Sequence, residues 1–360
     1  MGAKRVVVAM SGGVDSSVTA VLLKQEGYEV IGITMQVWPN DRCADGGDPS
    51  GGCCGLEAVN DARGVASGLG VPYYVLNFRE VFQKRVIADF CEEYKQGRTP
   101  NPCIRCNQYM KFDLLLERAR QLGAAFLATG HYARIEQDAA SGRVLLKKGV
   151  DLSKDQSYVL YVMTQDQLKH VLMPMGAYTK KMARQMARDL ELPVANKPES
   201  QEICFIPDDD YGAFLQEMIP ESARPGPILN QQGDILGTHR GIPFYTIGQR
   251  KGLGIAAREP LYVVAIDREK NAIIVGNEEE VYADHLVAAE LNWIAIDELT
   301  GPMEVRAKIR YLHPEAEAVV SRMDRDSVSV TFREPQRAIT PGQAVVFYQG
   351  DVVIGGGTIR

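Results

Sequence analysis

The chain has 360 residues, 45% of them hydrophobic, and sets 40 Lys and Arg against 46 Asp and Glu for a formal charge of −6. That length suits two or three domains, and the acidic balance argues against a uniformly basic nucleic-acid binder, although local clusters of positive charge decide such binding. No run of about 18 apolar residues is present, so no membrane span or membrane partner is expected.

Met1 to Arg5 lead straight into a strand without the apolar core of a signal peptide, so the expected location is cytoplasmic. Val6-Val7-Val8 reads as a buried strand. Met10-Ser11-Gly12-Gly13-Val14-Asp15-Ser16-Ser17 follows, and then the apolar run Val18 to Leu23. The pattern is strand, tight loop, helix N-terminus. Two glycines let backbone N–H groups approach an anion, and the helix start adds unpaired N–H groups and partial positive charge. Such a loop holds phosphate or pyrophosphate. The plainer alternative is an ordinary strand-to-helix connection. A Walker loop is excluded, because Gly-Lys-Ser/Thr is missing.

Glu29 to Met35 reads as a second strand, Asp45 to Gly55 as a glycine-rich loop, Glu57 to Leu69 as a helix and Tyr73 to Phe78 as a third strand. Helices flank the stretch Gly97 to Asn107, and Ala125 to Thr129 reads as a fourth strand. This alternation predicts an α/β, doubly wound parallel sheet with helices on both faces. Ligands then sit at the C-terminal strand ends, where the opening loop, Met35 and Gly130-His131 lie. Beyond residue 136 the alternation fades: Asp138 to Arg143 is a polar turn, and Thr179 to Leu190 is a helix carrying Lys180, Lys181, Arg184 and Arg188.

From about Gly226 the chain reads as short strands broken by turn residues, with a glycine-punctuated basic loop at Tyr245 to Gly254. A second change near Glu280 to Leu286 leads into a compact β-barrel, with strands at Leu291 to Ile296, Met303 to Leu312, Ala316 to Met323, Ser327 to Phe332, Ala344 to Gln349 and Val352 to Ile359. The expected domains are 1–207, a nucleotide-using catalytic domain; 208–280, central and β-rich; and 281–360, the barrel.

Seven cysteines are too odd a set to be staples in a chain of this size, and in the cytosol their spacing points to chemistry or metal. In Gly97-Arg98-Thr99-Pro100-Asn101-Pro102-Cys103-Ile104-Arg105-Cys106-Asn107, Cys106 is expected near the start of a helix. There N–H groups, Arg98 and Arg105 would favour the reactive thiolate. A redox pair or half a zinc site are the alternatives, and zinc lacks a second pair at matching spacing, since Cys53 and Cys54 are adjacent. In Ser200-Gln201-Glu202-Ile203-Cys204-Phe205-Ile206-Pro207, a cysteine between Ile and Phe is, taken alone, as well explained as a buried small hydrophobe.

The opening loop resembles the PP-loop, Ser-Gly-Gly-x-Asp-Ser, of the N-type ATP pyrophosphatases, which cleave ATP between the α and β phosphates. Together with Gly-Arg-Thr-Pro-Asn-Pro, Gly130-His131-Tyr132, Lys154-Asp155-Gln156-Ser157-Tyr158, Ser200 to Phe205 and Thr246-Ile247-Gly248-Gln249-Arg250-Lys251-Gly252, it resembles the tRNA-specific 2-thiouridylases over nearly the whole chain. The resemblance implies replacement of the 2-oxygen of the wobble uridine by sulfur in tRNAs for Lys, Glu and Gln. ATP, with Mg2+, adenylates that oxygen and a cysteine persulfide delivers sulfur, releasing AMP and pyrophosphate. It implies Cys204 as the persulfide carrier and Cys106 as the partner cysteine. Ala9, Met10, Ser11, Gly12, Gly13, Val14, Asp15 and Ser16, with Met35 and Gly130, would form the ATP site. His131, Lys154, Asp155, Gln156, Arg310, Tyr311 and Gln343 would contact tRNA, and Asn101, Pro102 and Cys103 would lie beside the target base. A persulfide donor, a cysteine desulfurase or a relay protein, is implied as partner.

An unpaired uridine can be splayed into a pocket, the usual route to specific RNA recognition. Alternation from Val305 to Tyr311 puts Arg306, Lys308 and Arg310 on one face for phosphates, or simply on a solvated strand face. The chain departs from the family at Cys103, where many members carry Asp. Cys103 is then a spare thiol, or it joins Cys106 and Cys204 in holding a [4Fe–4S] cluster with one open iron. Cys43, Cys53, Cys54 and Cys91 are read as structural or spare. Other functions weighed are an amidating PP-loop ligase, which needs no reactive cysteine, and a non-catalytic RNA-binding regulator, which predicts no AMP formation.

Overall fold

Three valines in succession make β1 (Arg5–Ala9) the buried centre of a parallel sheet, Val6, Val7 and Val8 each being fully buried. A computed structural model describes residues 3–37, 55–199, 203–206 and 210–360. They divide into two units: Met1–Val86, Cys103–Asp209 and Gly350–Val353 form the first, and Ile87–Pro102, Asp210–Gln349 and Ile354–Arg360 the second. The expected loop Asp45 to Gly55, all but its last residue, lies outside the described residues, as do Cys43, Cys53, Cys54, Ser200 to Glu202 and Pro207.

In the first unit β2 (Glu29–Gln36), β3 (Tyr73–Asn77), β4 (Phe126–Ala128), β5 (Ala133–Gln137), β6 (Val144–Lys148) and β7 (Val171–Leu172) follow β1. The five-stranded sheet has the order β3-β2-β1-β4-β7. Its four neighbouring pairs are all parallel. The chain runs from β1 outward through β2 and β3, then returns to place β4 on the other side of β1. That reversal opens a crevice at the C-terminal ends of β1 and β4, the place where such sheets bind ligands. Helix α1 (Val14–Gln25) follows β1, and α2 (Leu56–Leu69) lies between β2 and β3. Val6, Val8 and Met10 pack with Ala20 and Leu23 of α1 and with Ala62, Val65 and Ala66 of α2 in one apolar cluster. β5 and β6 form an antiparallel hairpin around the polar turn expected at Asp138 to Arg143. The short β7 was not foreseen, because two residues carry no alternation.

In the second unit β8 (Gly226–Leu229), β9 (Ile235–His239), β10 (Tyr262–Asp267) and β11 (Ala272–Gly276) form a four-stranded sheet in the order β10-β11-β8-β9. A closed antiparallel barrel is built from β12 (Tyr282–Trp293), β13 (Met303–Lys308), β14 (Ala316–Arg322), β15 (Ser327–Arg337), β16 (Ala344–Gln349) and β17 (Val352–Ile359), with β12 pairing both β15 and β17 to close it. The α/β sheet, the β-rich middle and the C-terminal barrel match the expected fold class. β12 starts at Tyr282 rather than Leu291, because its first half buries few side chains and its polar residues read as a connection.

A further difference bears on the chemistry. Helices were expected on both sides of Gly97 to Asn107, with Cys106 near the start of the second; that helix begins earlier, at Pro102–Arg105, and runs on through a π-helical segment, Cys106–Leu115. Proline suits the first helical position, where its ring presets φ and its missing N–H is not needed.

Candidate active site

The loop after β1 is fixed by contacts to α2, to β2 and to the first turn of α1. Gly12 has φ +69°, and a Cβ there would lie 2.2 Å from the Ala58 carbonyl oxygen of α2, so only glycine fits. Gly13 is the N-cap of α1 and supplies no side-chain cap, which leaves the first-turn N–H groups without an intrahelical partner. The Ser11 amide donates to Ser16 Oγ at 3.2 Å, and Ser17 Oγ donates to the Gly13 carbonyl at 2.8 Å. Thr34 Oγ1 of β2 donates to the Met10 carbonyl at 2.6 Å and ties the loop to the sheet. Across the crevice Gly130 follows β4, and a Cβ on it would lie 2.8 Å from the Ser16 amide nitrogen. Met35 is the penultimate residue of β2, beside Leu76 of β3. A helix N-terminus ringed by glycines at the reversal point of the sheet binds an anion by backbone amides and dipole.

Asp15 sits in the first turn of α1. Its Oδ1 accepts from the Tyr132 hydroxyl at 2.7 Å, and both its oxygens accept from Lys180 Nζ, at 2.8 and 2.7 Å. Lys180 is 9% exposed. It opens the helix Lys180–Asp189, whose N-cap Thr179 accepts from the Met182 amide. Beside it Glu199 pairs with Lys154 at 2.7 Å, and with Lys180 and Arg184 at 3.6 Å each. Burial disfavours the Glu199 carboxylate, but the Lys154 bond and the charges of Lys180, Lys154 and Arg184 outweigh it and hold its pKa below the ordinary carboxylate value. Burial first, and Asp15 second, push the Tyr132 phenol upward, so it remains a donor. The sequence placed Lys180 only on a basic helix. Its partner is 165 residues away, and no spacing rule reaches that far.

The cysteines differ in setting. Cys204 is half-buried on a short turn closed by Ile206 N donating to the Ile203 carbonyl at 2.9 Å. Phe205 and Ile206 are buried, and the Phe205 ring meets Phe82 edge-on at 5.7 Å, so the hydrophobic neighbours anchor the turn. Cys106 is half-buried and Cys103 exposed. Because the helix starts at Pro102, Cys106 lies a full turn inside it and Cys103 is nearer the terminal N–H groups. Cys91 is buried, and burial raises its thiol to about 11. Among the described residues no group of three His, Cys, Asp or Glu side chains is placed to hold a metal ion. A single-ion site is a tighter arrangement than the cysteine set of a [4Fe–4S] cluster, so a cluster on Cys103, Cys106 and Cys204 stands as a proposal.

The residues expected at tRNA fall into two sets. His131, Asp155 and Gln156 are engaged within the chain. His131 is buried, with Thr129 Oγ1 at 2.8 Å from Nδ1 and Lys111 Nζ at 3.3 Å from Nε2. Burial, then the Lys111 charge, lowers its pKa well below the usual value, so it is neutral. Nε2 accepts from the ammonium, and Nδ1–H donates to Thr129. Asp155 accepts from the Gly149 and Ser157 amides and from Ser157 Oγ, and Gln156 Oε1 accepts from the Tyr132 amide. These bonds shape the turn that holds Tyr132 against Asp15. Lys154 is half-buried on Glu199.

In the second unit Gln343 Nε2 donates to the Thr99 carbonyl at 2.7 Å, and Thr99 N donates to the Pro341 carbonyl at 2.8 Å, so Gln343 and the approach to Asn101 and Pro102 are held together. Arg310 Nη2 donates to the Arg337 carbonyl at 3.1 Å, and Lys308 Nζ lies 5.9 Å from the Tyr311 ring centroid. Arg306 is turned toward Glu315 and Glu317, which favours the solvated-face reading for that residue alone.

Three family models match the chain in succession. They are described as a tRNA methyl transferase HUP domain over residues 4–208, a tRNA methyl transferase PRC-barrel domain over 212–277 and an aminomethyltransferase β-barrel domain over 283–359. The chain is 59% identical over 356 residues to the tRNA-specific 2-thiouridylase MnmA of Heliobacterium modesticaldum, covering 98% of this chain and 92% of that one. It is 55% identical over 360 residues to that of Acetivibrio thermocellus, covering 100% of both. It is 56% identical over 356 residues to the tRNA-specific 2-thiouridylase MnmA 2 of Caldanaerobacter subterraneus, covering 99% of this chain and 98% of that one.

Proposed function

The chain belongs to the tRNA-specific 2-thiouridylase family, and from that premise we propose how its own residues carry the reaction. It is an ATP-using enzyme that transfers sulfur to a tRNA uridine, and the proposal concerns the steps. ATP binds as its magnesium complex with the phosphates on the loop Ala9 to Ser16, backed by Gly130, and with the base toward Met35. Magnesium keeps most of its ligands on phosphate and water and needs no protein cage. The uridine O2 attacks the α-phosphorus, pyrophosphate leaves, and the oxygen carries AMP. The terminal sulfur of a Cys204 persulfide then attacks C2 and AMP departs. Cys106 thiolate takes the remaining Cys204 sulfur, giving a Cys106–Cys204 disulfide and 2-thiouridine, and an external thiol reduces the disulfide. A cysteine desulfurase or relay protein reloads Cys204.

The observation that carries this reading is the N-terminus of α1 with no side-chain cap, against which Gly130 backs at the reversal point of the sheet, while Gly12 lets the loop pack on α2. We assign 1–207 to adenylation and sulfur transfer, 208–280 to a central connecting domain and 281–360 to tRNA binding. Lys154, Arg310, Tyr311 and Gln343 are proposed to meet tRNA directly. His131, Asp155 and Gln156 are proposed to reach it as a supporting layer, with Asn101, Pro102 and Cys103 beside the base. Among the described residues no helix is long and apolar enough to cross a membrane, which is compatible with the proposed cytoplasmic location.

The test is an assay with tRNA, ATP and a persulfide donor, reading AMP and 2-thiouridine separately. Cys204→Ala is expected to form AMP without 2-thiouridine. Loss of both products would count against the carrier role.

A further inference from the structure

Two lysines near the loop after β1 are neutralised by carboxylates, Lys180 by Asp15 and Lys154 by Glu199. Lys111 is not. Among the described residues its ammonium meets no carboxylate, and its one hydrogen-bond partner is the His131 ring, with Nε2 at 3.3 Å. A neutral ring holds the ammonium in place without cancelling its charge. Thr129 Oγ1, 2.8 Å from Nδ1, and the Phe112 ring, 5.9 Å away, fix that ring in turn. An ammonium has three donors, and His131 takes one.

Two relationships locate the other donors. His131 directly follows Gly130, which stands against the Ser16 amide of the loop, so the ammonium is brought to the strand end that borders the nucleotide crevice. The second relationship is the π-helical segment Cys106–Leu115, a form frequent at functional sites. Its i→i+5 bonding sets residues five apart on neighbouring turns of one face. Burial follows that spacing: Asn107 and Phe112 are buried as one pair, Met110 and Leu115 as another. Cys106 and Lys111 are also five apart, and both are half-buried. An α-helix would turn Lys111 about 140° away from Cys106. The π-helical winding thus puts an uncancelled cation on the cysteine's face of the helix, at the strand end that carries Gly130.

We propose that Lys111 is a catalytic residue for the departure of AMP, its ammonium donating to the non-bridging oxygens of the α-phosphate that joins the uridine O2 to adenosine. That phosphate is the group the two halves of the reaction share, so its place is between the loop and the cysteines. When sulfur attacks C2, the C2–S bond forms, the C2–O2 bond breaks, and its electron pair goes to the oxygen leaving with AMP. The α-phosphate passes from one negative charge to two. In the adenylation step the new charge gathers on pyrophosphate instead. A cation on the α-phosphate therefore binds the second transition state more tightly than the state before it, which is the condition for lowering that barrier. The inference rests on the ATP-loop assignment and the sulfur-transfer steps proposed above, and adds a residue to them.

The experiment is a single turnover of tRNA and ATP on protein loaded by a persulfide donor, reading pyrophosphate, AMP and 2-thiouridine, for the wild type, Lys111→Gln and Lys111→Arg. Glutamine keeps a donor for His131 and removes only the charge. Equilibrium binding of AMP and of adenosine, with a melting curve, accompanies each protein. Lys111→Gln is expected to slow AMP and 2-thiouridine by about a hundredfold, the size of a lost donor to developing charge, while pyrophosphate formation stays within about threefold and adenylated tRNA accumulates. Its AMP affinity is expected to fall by about tenfold or more, with adenosine within about twofold. Lys111→Arg is expected to recover part of both losses. Equal slowing of pyrophosphate and AMP, or equal weakening of AMP and adenosine with a lowered melting temperature, would make Lys111 a structural tie to His131 and overturn the inference. A Lys111→Gln protein that matches the wild type in every reading would overturn the inference and leave the loop assignment standing. A wild type that binds neither AMP nor adenosine and forms no pyrophosphate would overturn the loop assignment and the inference with it.

Discussion

Gly130 backs onto the amide of Ser16 so closely that a Cβ on it would lie 2.8 Å from that nitrogen and 2.9 Å from the Asp15 carbonyl carbon. The two residues come from different strand ends, and their contact sets the width of the crevice over α1. Its neighbours on the wall are all backbone or Cβ atoms of α1, so nothing flexible can yield.

Gly130→Ala is therefore expected to cost ATP affinity and AMP release together, by about tenfold or more, because either the amide is covered or α1 must shift. Titration of ATP against the variant, with a melting curve as control, checks it. Unchanged ATP affinity would show that the Ser16 amide does not serve the nucleotide.

Phe205→Ala separates the two halves of the reaction. The ring is 2% exposed and meets Phe82 at 5.7 Å, and it pins the turn that carries Cys204. A buried Phe→Ala change costs roughly 3–5 kcal/mol where the whole site is rigid. Here the expected loss falls on the turn: 2-thiouridine formation drops about tenfold or more while ATP-dependent AMP formation persists. Equal loss of both products would mean that the ring supports the ATP half as well.

Thiol reactivity should follow burial. Cys103 is exposed and is expected to take iodoacetamide first at pH 7.5, whereas buried Cys91, with its thiol raised to about 11, should stay unmodified in the folded protein. Peptide mapping after timed alkylation reads the order. Early modification of Cys91 would show that Ala88–Lys95 opens readily.

Much of the adenylating half was legible, because its signals are local. Val6 to Val8, the Ser-Gly-Gly turn and the strands at Glu29 and Tyr73 each announce themselves within a few residues. The barrel strands from Met303 onward were legible by alternation, but Tyr282 to Leu291 was not, since a strand with few buried side chains looks like a connection. The partners of Asp15 were illegible for another reason. Tyr132 and Lys180 reach it from 117 and 165 residues away, and only the folded sheet brings them together. The helix start at Pro102 was readable in principle from proline at the first helical position.

His239 offers a pH test in the second unit. The side chain is 1% exposed, its Nδ1 accepts from the Gly241 amide at 3.0 Å, and Nε2 sits 2.9 Å from the Asn271 carbonyl. One nitrogen accepts and the other donates, so the ring must be neutral. Burial lowers its pKa, and the bond to Asn271 opposes this only in part. The folded value thus lies below the unfolded one of about 6.5. Above that pH neither state takes the proton and the contribution is fully present. As pH falls through about 6.5 the unfolded chain binds a proton that the folded one refuses, and stability drops by up to about 1.4 kcal/mol per pH unit until the folded value is reached. His131 and His313 are lowered in the same direction, so the wild-type slope is a sum. The measurement is urea unfolding of wild type and His239→Gln at pH 7.5 and pH 5.5. The variant is expected to be less stable at pH 7.5 and to lose less on acidification. Equal losses in the two proteins would show that His239 takes up its proton without breaking either bond.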